Sequence, residues 1–260
     1  MKTEDQTVAA GHSIDPARWQ ETFQVLMGRI AGRFARVEPR RRARAFVLGL
    51  LSDLPRKNCW PLAEHAGNAT PDGLQHLLSR AKWDADAVRD DIRGFVVEEL
   101  HDATAVLVVD ETGDLKKSPP RWACSVSTRA PPDASRTARF AVYLAYSTRR
   151  GHAAIDRELY VPRSWTEDPA RCRDAGMPDT VGFTMKPALA TRMIGCALDA
   201  GVPASWVAGD EVCGAIRTCE PSWRDAIGYV LAVARDHQIT TRAGKLRADT
   251  LVKKLPKRAW

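Results

Sequence analysis

The stretch AVLVVDETGD, residues 105–114, decides the fold. Five aliphatic residues, three of them β-branched, lead into an acid and then into a turn that contains glycine. Such a run predicts a buried central strand over residues 105–110 that ends at Asp110. The spacing of the apolar residues changes here from a helical pattern to a strand pattern, so the part from residue 101 onward is predicted to be α/β.

Three more strands and a helix are predicted downstream. The segments FAVYLAY, SWVA and GYVLAVA predict strands over residues 140–146, 205–208 and 228–234, and residues 187–200 predict an amphipathic helix. The strand over residues 205–208 leads into Gly209 and Asp210. If the strands that precede Asp110 and Asp210 are neighbours, both carboxylates lie at the sheet edge where open α/β sheets bind ligands.

Two close carboxylates repel each other and need a proton or a cation between them. Mg²⁺ suits such a site because hard cations prefer carboxylate oxygens, and two ions there would assist phosphoryl transfer. The alternative is that Asp110 and Asp210 only cap helices or close turns, as aspartates at strand ends often do.

Residues 16–101 are predicted to be helical. Helices are expected over residues 19–34, 43–54, 59–65 and 84–100, and over residues 71–80 with Thr70 as the cap and Pro71 in the first helical position. The two helices around Gly67 resemble a helix-turn-helix, in which Gln75, His76 and Arg80 would face the DNA major groove. The same pattern also occurs in helical domains that do not bind DNA.

Composition excludes several classes of protein. The 260 residues are 44% hydrophobic and contain neither an 18-residue apolar run nor an apolar leader, so we expect a cytoplasmic protein without membrane contact. The six cysteines form no C-x-x-C pair, which argues against a zinc finger. Trp60, Trp165 and Trp206 are most simply core residues.

The net charge of +7 favours an acidic partner such as nucleic acid. Residues 29–44 hold seven arginines and one glutamate, and residues 235–258 hold eight basic and two acidic residues. Residues 84–114 between them hold ten acidic and two basic residues. The alternative for each charge run is a solvated helix face.

Four motifs resemble the DDE-type transposases of bacterial insertion sequences. They are VVDETGDLKK (108–117), the segment from LAYSTRRGH to SWTED (144–168), the segment from KPALATRM to GDEVCG (186–214), and YVLAVARDHQ (229–238). Residues 33–91 are similar to the same family. The resemblance spans residues 18–260 outside two segments, 118–139 and 215–226.

The resemblance implies an RNase H-like mixed sheet with helices, preceded by an all-α region. It implies that Asp110 and Asp210 are catalytic and bind Mg²⁺ or Mn²⁺ while a hydroxyl attacks a DNA phosphodiester. Residues 1–14 would be a flexible tail, 15–101 a helical DNA-binding region and 102–260 the catalytic domain. DNA, in particular transposon ends, is the expected partner, and a homodimer is left open. The expected DNA-binding residues are Arg40, Arg41, Arg42, Lys57, Lys116 and Lys117.

The third acid of the family, a glutamate on a late helix, has no match before Trp260, and Glu220 lies in a segment that does not match. We therefore expect a truncated catalytic domain, with reduced metal affinity and reduced activity.

The two mismatched segments, 118–139 and 215–226, resemble the family's sequence translated one base out of frame. Our hypothesis is that the coding sequence carries compensating frameshifts, and that a proline-rich loop replaces the strand beside the one that carries Asp110. That loss would leave the strand ladder unpaired, and would leave the core poorly stable and the chain with little or no transposition activity.

Two other functions stay open. A catalytically dead remnant would bind DNA and compete with intact transposase. A haloacid dehalogenase-like phosphohydrolase would use Asp110 as nucleophile and Asp210 as a Mg²⁺ ligand. Thr112 stands where such enzymes usually carry a second acid.

Overall fold

The computed structural model describes residues 15–116, 124–126, 137–174, 177, 181–211, 223, 227–241 and 244–256. The chain divides into two compact units, Met1–Phe95 and Val96–Trp260. No helix within the described ranges is both long and apolar enough to cross a bilayer.

The first unit consists of helices, as the sequence predicts. They are α1 Pro16–Ile30, α2 Val37–Leu51, α3 Cys59–His65, α4 Asp72–Ser79 and most of α5 Ala85–Leu100, with a 3₁₀ turn Ala31–Arg33 after α1. The Asp15 carboxylate accepts a hydrogen bond from the Ala17 N–H, which starts α1. The predicted Thr70 cap of α4 is wrong. Pro71 occupies the cap position, and the Thr70 hydroxyl donates to the Asp72 carboxylate at 3.1 Å instead.

Two apolar clusters of the described residues hold this unit together. The smaller contains Leu62, Ala63 and Leu74 from α3 and α4. The larger collects the buried faces of α1, α2, α4 and α5 with Phe34, whose ring stacks on Trp83 at 5.6 Å between centroids. The 3.6-residue period of the apolar side chains therefore places one face of each helix in a shared core.

Among the described residues, the second unit is built on a six-stranded mixed sheet. Its strands are β1 Val106–Lys116, β2 Cys124–Val126, β3 Thr137–Thr148, β4 Gly151–Tyr160, β5 Trp206–Gly209 and β6 Gly228–Leu231. Strand β1 is central, antiparallel to β3 and parallel to β5. Strands β4 and β2 pair with the other edge of β3, and β6 pairs in parallel with β5. This arrangement confirms the predicted RNase H-like mixed sheet.

Four helices and a hairpin complete the described part of this unit. The helices are α6 Arg163–Thr166, α7 Pro169–Asp174, α8 Lys186–Asp199 and α9 Ala248–Lys254. The hairpin joins β7 Gln238–Thr241 to β8 Gly244–Arg247. The sequence pattern predicts α8 within one residue at each end, but it does not predict β4, α6, α7, the hairpin or α9.

The expected loss of the strand beside β1 is wrong. Strand β3 begins at Thr137 and pairs with β1 in an unbroken register from Lys116↔Thr137 to Val106↔Ser147. The strand that neighbours β1 is thus the FAVYLAY segment, extended at both ends, and not the proline-rich segment before it. Most of that segment, like residues 215–226 apart from Trp223, lies outside the described residues. Two described parts of it join the sheet, namely the short β2 and residues 137–139 at the start of β3.

Helix α8 covers one face of the sheet. Alternate residues of β1, β3 and β5 point to this face and are fully buried against α8, so they form the main core. They are Leu107, Val109, Val142, Leu144, Tyr146 and Val207, packed with Leu189, Ala190, Met193, Ile194 and Ala197. The other face is more open, because Tyr143 is 39% exposed and Val230 is 66% exposed.

Only one of the three predicted core tryptophans is buried. Trp165 is 2% exposed, whereas Trp60 and Trp206 are 55% and 49% exposed. The ring of Trp206 lies across Gly228 on the neighbouring strand, where a β-carbon would be 2.6 Å from the indole. Gly228 therefore lets the indole lie flat on the sheet.

Candidate metal centre and nucleic-acid interface

Asp110 on β1 and Asp210 directly after β5 follow neighbouring positions of two adjacent strands. In the parallel β1–β5 ladder Val109 is opposite Gly209, so each aspartate directly follows one member of the last register pair. Paired strands lie about 4.8 Å apart. The structure thus places the two aspartates that the sequence pattern singled out directly after neighbouring register positions of adjacent strands. Asp110 does not end its strand as predicted, however, because β1 continues to Lys116.

Strand alternation turns Asp110 away from the core. Leu107 and Val109 are buried under α8, so Asp110 projects from the opposite, open face and is exposed. Asp210 follows β5 and is partly buried. One oxygen of Asp110, Oδ1, accepts a hydrogen bond of 2.8 Å from the Glu111 backbone N–H, which holds the carboxylate close to its own strand.

The donor chemistry of this pair fits a hard divalent cation. Two carboxylates at neighbouring register positions supply oxygen ligands, and Mg²⁺ commonly binds one or two protein carboxylates together with waters and substrate phosphates. Within the described ranges no group of three histidine, cysteine or acidic side chains is close enough to hold a metal.

Directly behind this pair lies an ion pair that sequence analysis missed. The ammonium of Lys186, the first residue of α8, contacts the Glu111 carboxylate. It also lies 4.6 Å from the ring centroid of Phe140 and 5.0 Å from that of Tyr160. A lysine at a helix N-terminus opposes the helix dipole, which disfavours it unless an acid is near. That mismatch is the one signal in the sequence that could have pointed to the pair.

The predicted DNA-binding arginines lie on α2, and two of them line grooves beside α4. Arg41 and Arg42 line a groove of about 470 Å³ that also includes Asn68 and Thr70. Arg40 is exposed and lines neither this groove nor the one described next.

A second groove, of about 600 Å³, contains Arg42 together with all three residues predicted to face DNA, namely Gln75, His76 and Arg80. Arg42 packs closely on α4, since a β-carbon at Gly73 would lie 3.0 Å from its Nε. The structure therefore brings the arginine run and the second helix of the helix-turn-helix pattern together. We call residues Arg41, Arg42, Gln75, His76 and Arg80 the basic groove.

The remaining predicted DNA contacts are not part of the basic groove. Lys57 is exposed, and its ammonium donates a 2.5 Å hydrogen bond to the Leu50 carbonyl near the end of α2. That contact gives Lys57 a structural role, because the last carbonyls of a helix lack partners within it. The backbone of Lys116 ends β1, but its side chain and the whole of Lys117 lie outside the described residues.

Two comparisons bear on these sites. The family described as DDE superfamily endonuclease matches residues 29–243, which include both carboxylates and the basic groove. A protein of Microchaete diplosiphon named "Probable transposase for insertion sequence element IS701" is 34% identical over 70 residues. That match covers 27% of this chain and 18% of the length of the other protein.

Proposed function

This chain belongs to the DDE superfamily endonucleases, and from that premise we propose that it acts as the transposase of an insertion sequence, cutting and joining DNA by metal-dependent phosphodiester transfer. The observation that carries the proposal is the position of Asp110 and Asp210, one register step beyond Val109↔Gly209 on adjacent strands. The name of the partial relative supports the same function.

Asp110 and Asp210 would hold the divalent cation, Mg²⁺ or Mn²⁺. When bound, such a cation would supply positive charge to phosphate oxygens and favour an attacking hydroxyl. Asp110 projects from the open face of the sheet, so a DNA backbone can approach its carboxylate. The Glu111 N–H restricts the orientation of that carboxylate before any cation binds. Pre-oriented ligands lose less conformational freedom on binding.

The basic groove would bind DNA in the helical unit. Arg41, Arg42 and Arg80 supply positive charge for phosphates, while Gln75 and His76 carry hydrogen-bonding groups on the exposed face of α4. The apolar side chains Leu74 and Leu77 fix α4 in the core from its other face. Because α4 has one face buried in the core and one polar face exposed, it could serve as the recognition helix of a helix-turn-helix.

The test is Mg²⁺-dependent cleavage of duplex DNA taken from the regions that flank the gene. Asp110→Asn and Asp210→Asn should each lower the cleavage rate by about two orders of magnitude, because each removes one charged group at the reacting phosphate. The matched control is Asp199→Asn, which changes an exposed aspartate at the end of α8 and should leave the rate unchanged. Cleavage that survives in both carboxylate variants would refute the proposed site.

A second candidate function is DNA binding without cleavage, in competition with intact transposase. The observation that favours it is that the basic groove lies in the helical unit, whereas both carboxylates lie in the sheet unit. DNA binding by the groove therefore requires neither carboxylate. Salt-dependent DNA binding by the wild-type chain with no cleavage in Mg²⁺ or Mn²⁺ would favour this second function.

The phosphohydrolase alternative has less support, since the family match is to endonucleases. It makes a separate prediction, a covalent phosphate on Asp110 after incubation with a phosphate monoester. Detection of that adduct by mass spectrometry would favour the phosphohydrolase over the endonuclease.

A further inference from the structure

We propose that Lys186 is a positioning residue for the Asp110 carboxylate. It acts through Glu111, and it sets how well Asp110 can bind a cation. The inference rests on the proposed function, because it assumes that Asp110 binds a cation. It adds to the two aspartates a lysine on helix α8, whose side chain lies on the face of the sheet opposite to that of Asp110.

Glu111 connects the two faces of β1. Its backbone N–H donates to Asp110 Oδ1 at 2.8 Å, while its side chain projects to the α8 side, because neighbouring residues of a strand alternate between faces. There the carboxylate contacts the Lys186 ammonium. A rotation of β1 about its own axis at Glu111 would have to break this ion pair. The pair therefore restrains the peptide group that holds Asp110.

The surroundings of Lys186 keep the ion pair in place. Both side chains are largely buried, at 21% exposure for Lys186 and 22% for Glu111, and Glu111 Oε2 is shielded from solvent. The rings of Phe140 on β3 and Tyr160 on β4 lie beside the ammonium. A cation in such a place depends on its acidic partner and on the faces of the two rings.

Gly113 allows this arrangement. It lies opposite Phe140 in the β1–β3 ladder, and a β-carbon there would be 2.9 Å from the Phe140 ring. Phe140 in turn lies opposite Tyr160 in the β3–β4 ladder. The lysine thus spans a row of three strands, β1, β3 and β4, and reaches the carboxylate on the strand that carries Asp110.

Positioning and simple electrostatics predict opposite effects of losing Lys186. Lys186 is a positive charge near the cation site, so its removal alone should strengthen cation binding through reduced repulsion. If Lys186 positions Asp110 through Glu111, its removal should weaken binding. Loss of a residue that orients a metal ligand commonly costs 10–100-fold in affinity or activity.

The experiment measures Mn²⁺ affinity by isothermal titration, together with Mn²⁺-dependent DNA cleavage, on the full chain. Lys186→Met should weaken Mn²⁺ binding about tenfold and slow cleavage by a similar factor. Lys186→Arg keeps a cation beside Glu111 and should restore part of both. The matched control is Arg192→Met. It removes another ion pair between α8 and the sheet, Arg192–Glu158 at 2.8 Å, without touching β1, and should leave Mn²⁺ affinity unchanged.

A double variant protects the test against misfolding. Lys186→Met leaves Glu111 as an unpaired, largely buried charge, whereas Glu111→Gln with Lys186→Met removes both charges at similar volume. The double variant should fold and still bind Mn²⁺ about tenfold more weakly than the wild type. Affinity equal to or tighter than that of the wild type in either variant would overturn the positioning role while leaving the carboxylate site intact. Absence of Mn²⁺ binding by the wild type would instead overturn the proposed metal site, and this inference with it.

Discussion

At the scale of single residues, the Arg33–Asp91 ion pair links the 3₁₀ turn after α1 to helix α5. Arg33 donates two hydrogen bonds to the Asp91 carboxylate, from Nε to Oδ2 at 2.6 Å and from Nη2 to Oδ1 at 2.8 Å. Bidentate pairs of this kind are the strongest form of arginine–carboxylate contact. The hydrogen bonds from Arg33 hold the pKa of Asp91 below its ordinary value, and burial of Asp91 opposes that effect.

The lowered pKa of Asp91 predicts how stability depends on pH. A folded-state pKa below the unfolded value of about 3.9 adds stability above that value, and this stability disappears as pH falls through the folded pKa. Asp91→Asn should therefore lower the urea midpoint at pH 7, and the difference from the wild type should vanish in strong acid. The effect should be modest, since the Arg33 side chain is 44% exposed.

The control for this prediction is Asp86→Asn on the same helix. Asp86 is 72% exposed and contacts Arg89 at 3.2 Å, so its substitution should have little effect at any pH. A difference between Asp91→Asn and the wild type that is the same at pH 7 and at pH 2 would contradict the assignment to the Asp91 charge.

The apolar runs before Asp110 and Asp210 are a local pattern, so the sequence alone could place the first aspartate on a strand and the second directly after one, while their catalytic role stays a prediction. The sequence alone could not predict that Glu111 contacts Lys186, because that contact depends on how α8 lies across β1 and on the glycine at position 113. The prediction that Trp60 and Trp206 are core residues was wrong, since residue type alone does not tell which face of an element meets the core.

At the scale of elements, apolar periodicity predicted the helices well because each has one face in a core. The neighbour of β1 was predicted wrongly for a physical reason. A strand can start anywhere that its backbone groups find partners, and Thr137 to Arg139 pair with β1 and β2 although they end a proline-rich segment of poor strand composition. Strand pairing outweighs local propensity here. The same applies to β4, whose many polar and charged residues do not give the apolar run or alternation that predicts a strand.

Helix α2 offers a test in which packing and helix propensity oppose each other. Gly49 lies in α2, where a β-carbon would be 2.6 Å from Cδ2 of Leu62, a fully buried residue of α3. Alanine normally favours a helix over glycine by about 1 kcal/mol. Overpacking a core costs about 1–3 kcal/mol, so Gly49→Ala should lower the free energy of unfolding, as chemical denaturation can measure.

Gly28 in α1 is the matched control. It is exposed, and a β-carbon there would meet nothing within 4 Å. Gly28→Ala should therefore stabilise the chain by about 0.5–1 kcal/mol through helix propensity alone. If both substitutions stabilise the protein, Leu62 moves enough to admit a β-carbon at position 49, and overpacking does not decide the stability there.

At the scale of the whole molecule, the two proposed activities belong to different compact units. The basic groove is formed by α2 and α4 in the helical unit, and Asp110 and Asp210 lie in the sheet unit. Each unit has its own buried clusters. A substitution on the surface of one unit should therefore leave the fold of the other unchanged, so that binding and chemistry can be lost separately.

This separation predicts a double dissociation between Arg42→Ala and Asp110→Asn. Arg42→Ala should weaken binding to flanking duplex DNA and reduce the slope of log affinity against log salt by about 0.9, the value for one phosphate contact. It should leave Mn²⁺ affinity unchanged. Asp110→Asn should do the reverse, losing Mn²⁺ affinity while keeping the salt slope. Arg18→Ala, at an exposed arginine of α1 that lines neither groove, controls for loss of positive charge. Loss of DNA affinity in Arg18→Ala equal to that in Arg42→Ala would show that net charge, and not the basic groove, binds DNA.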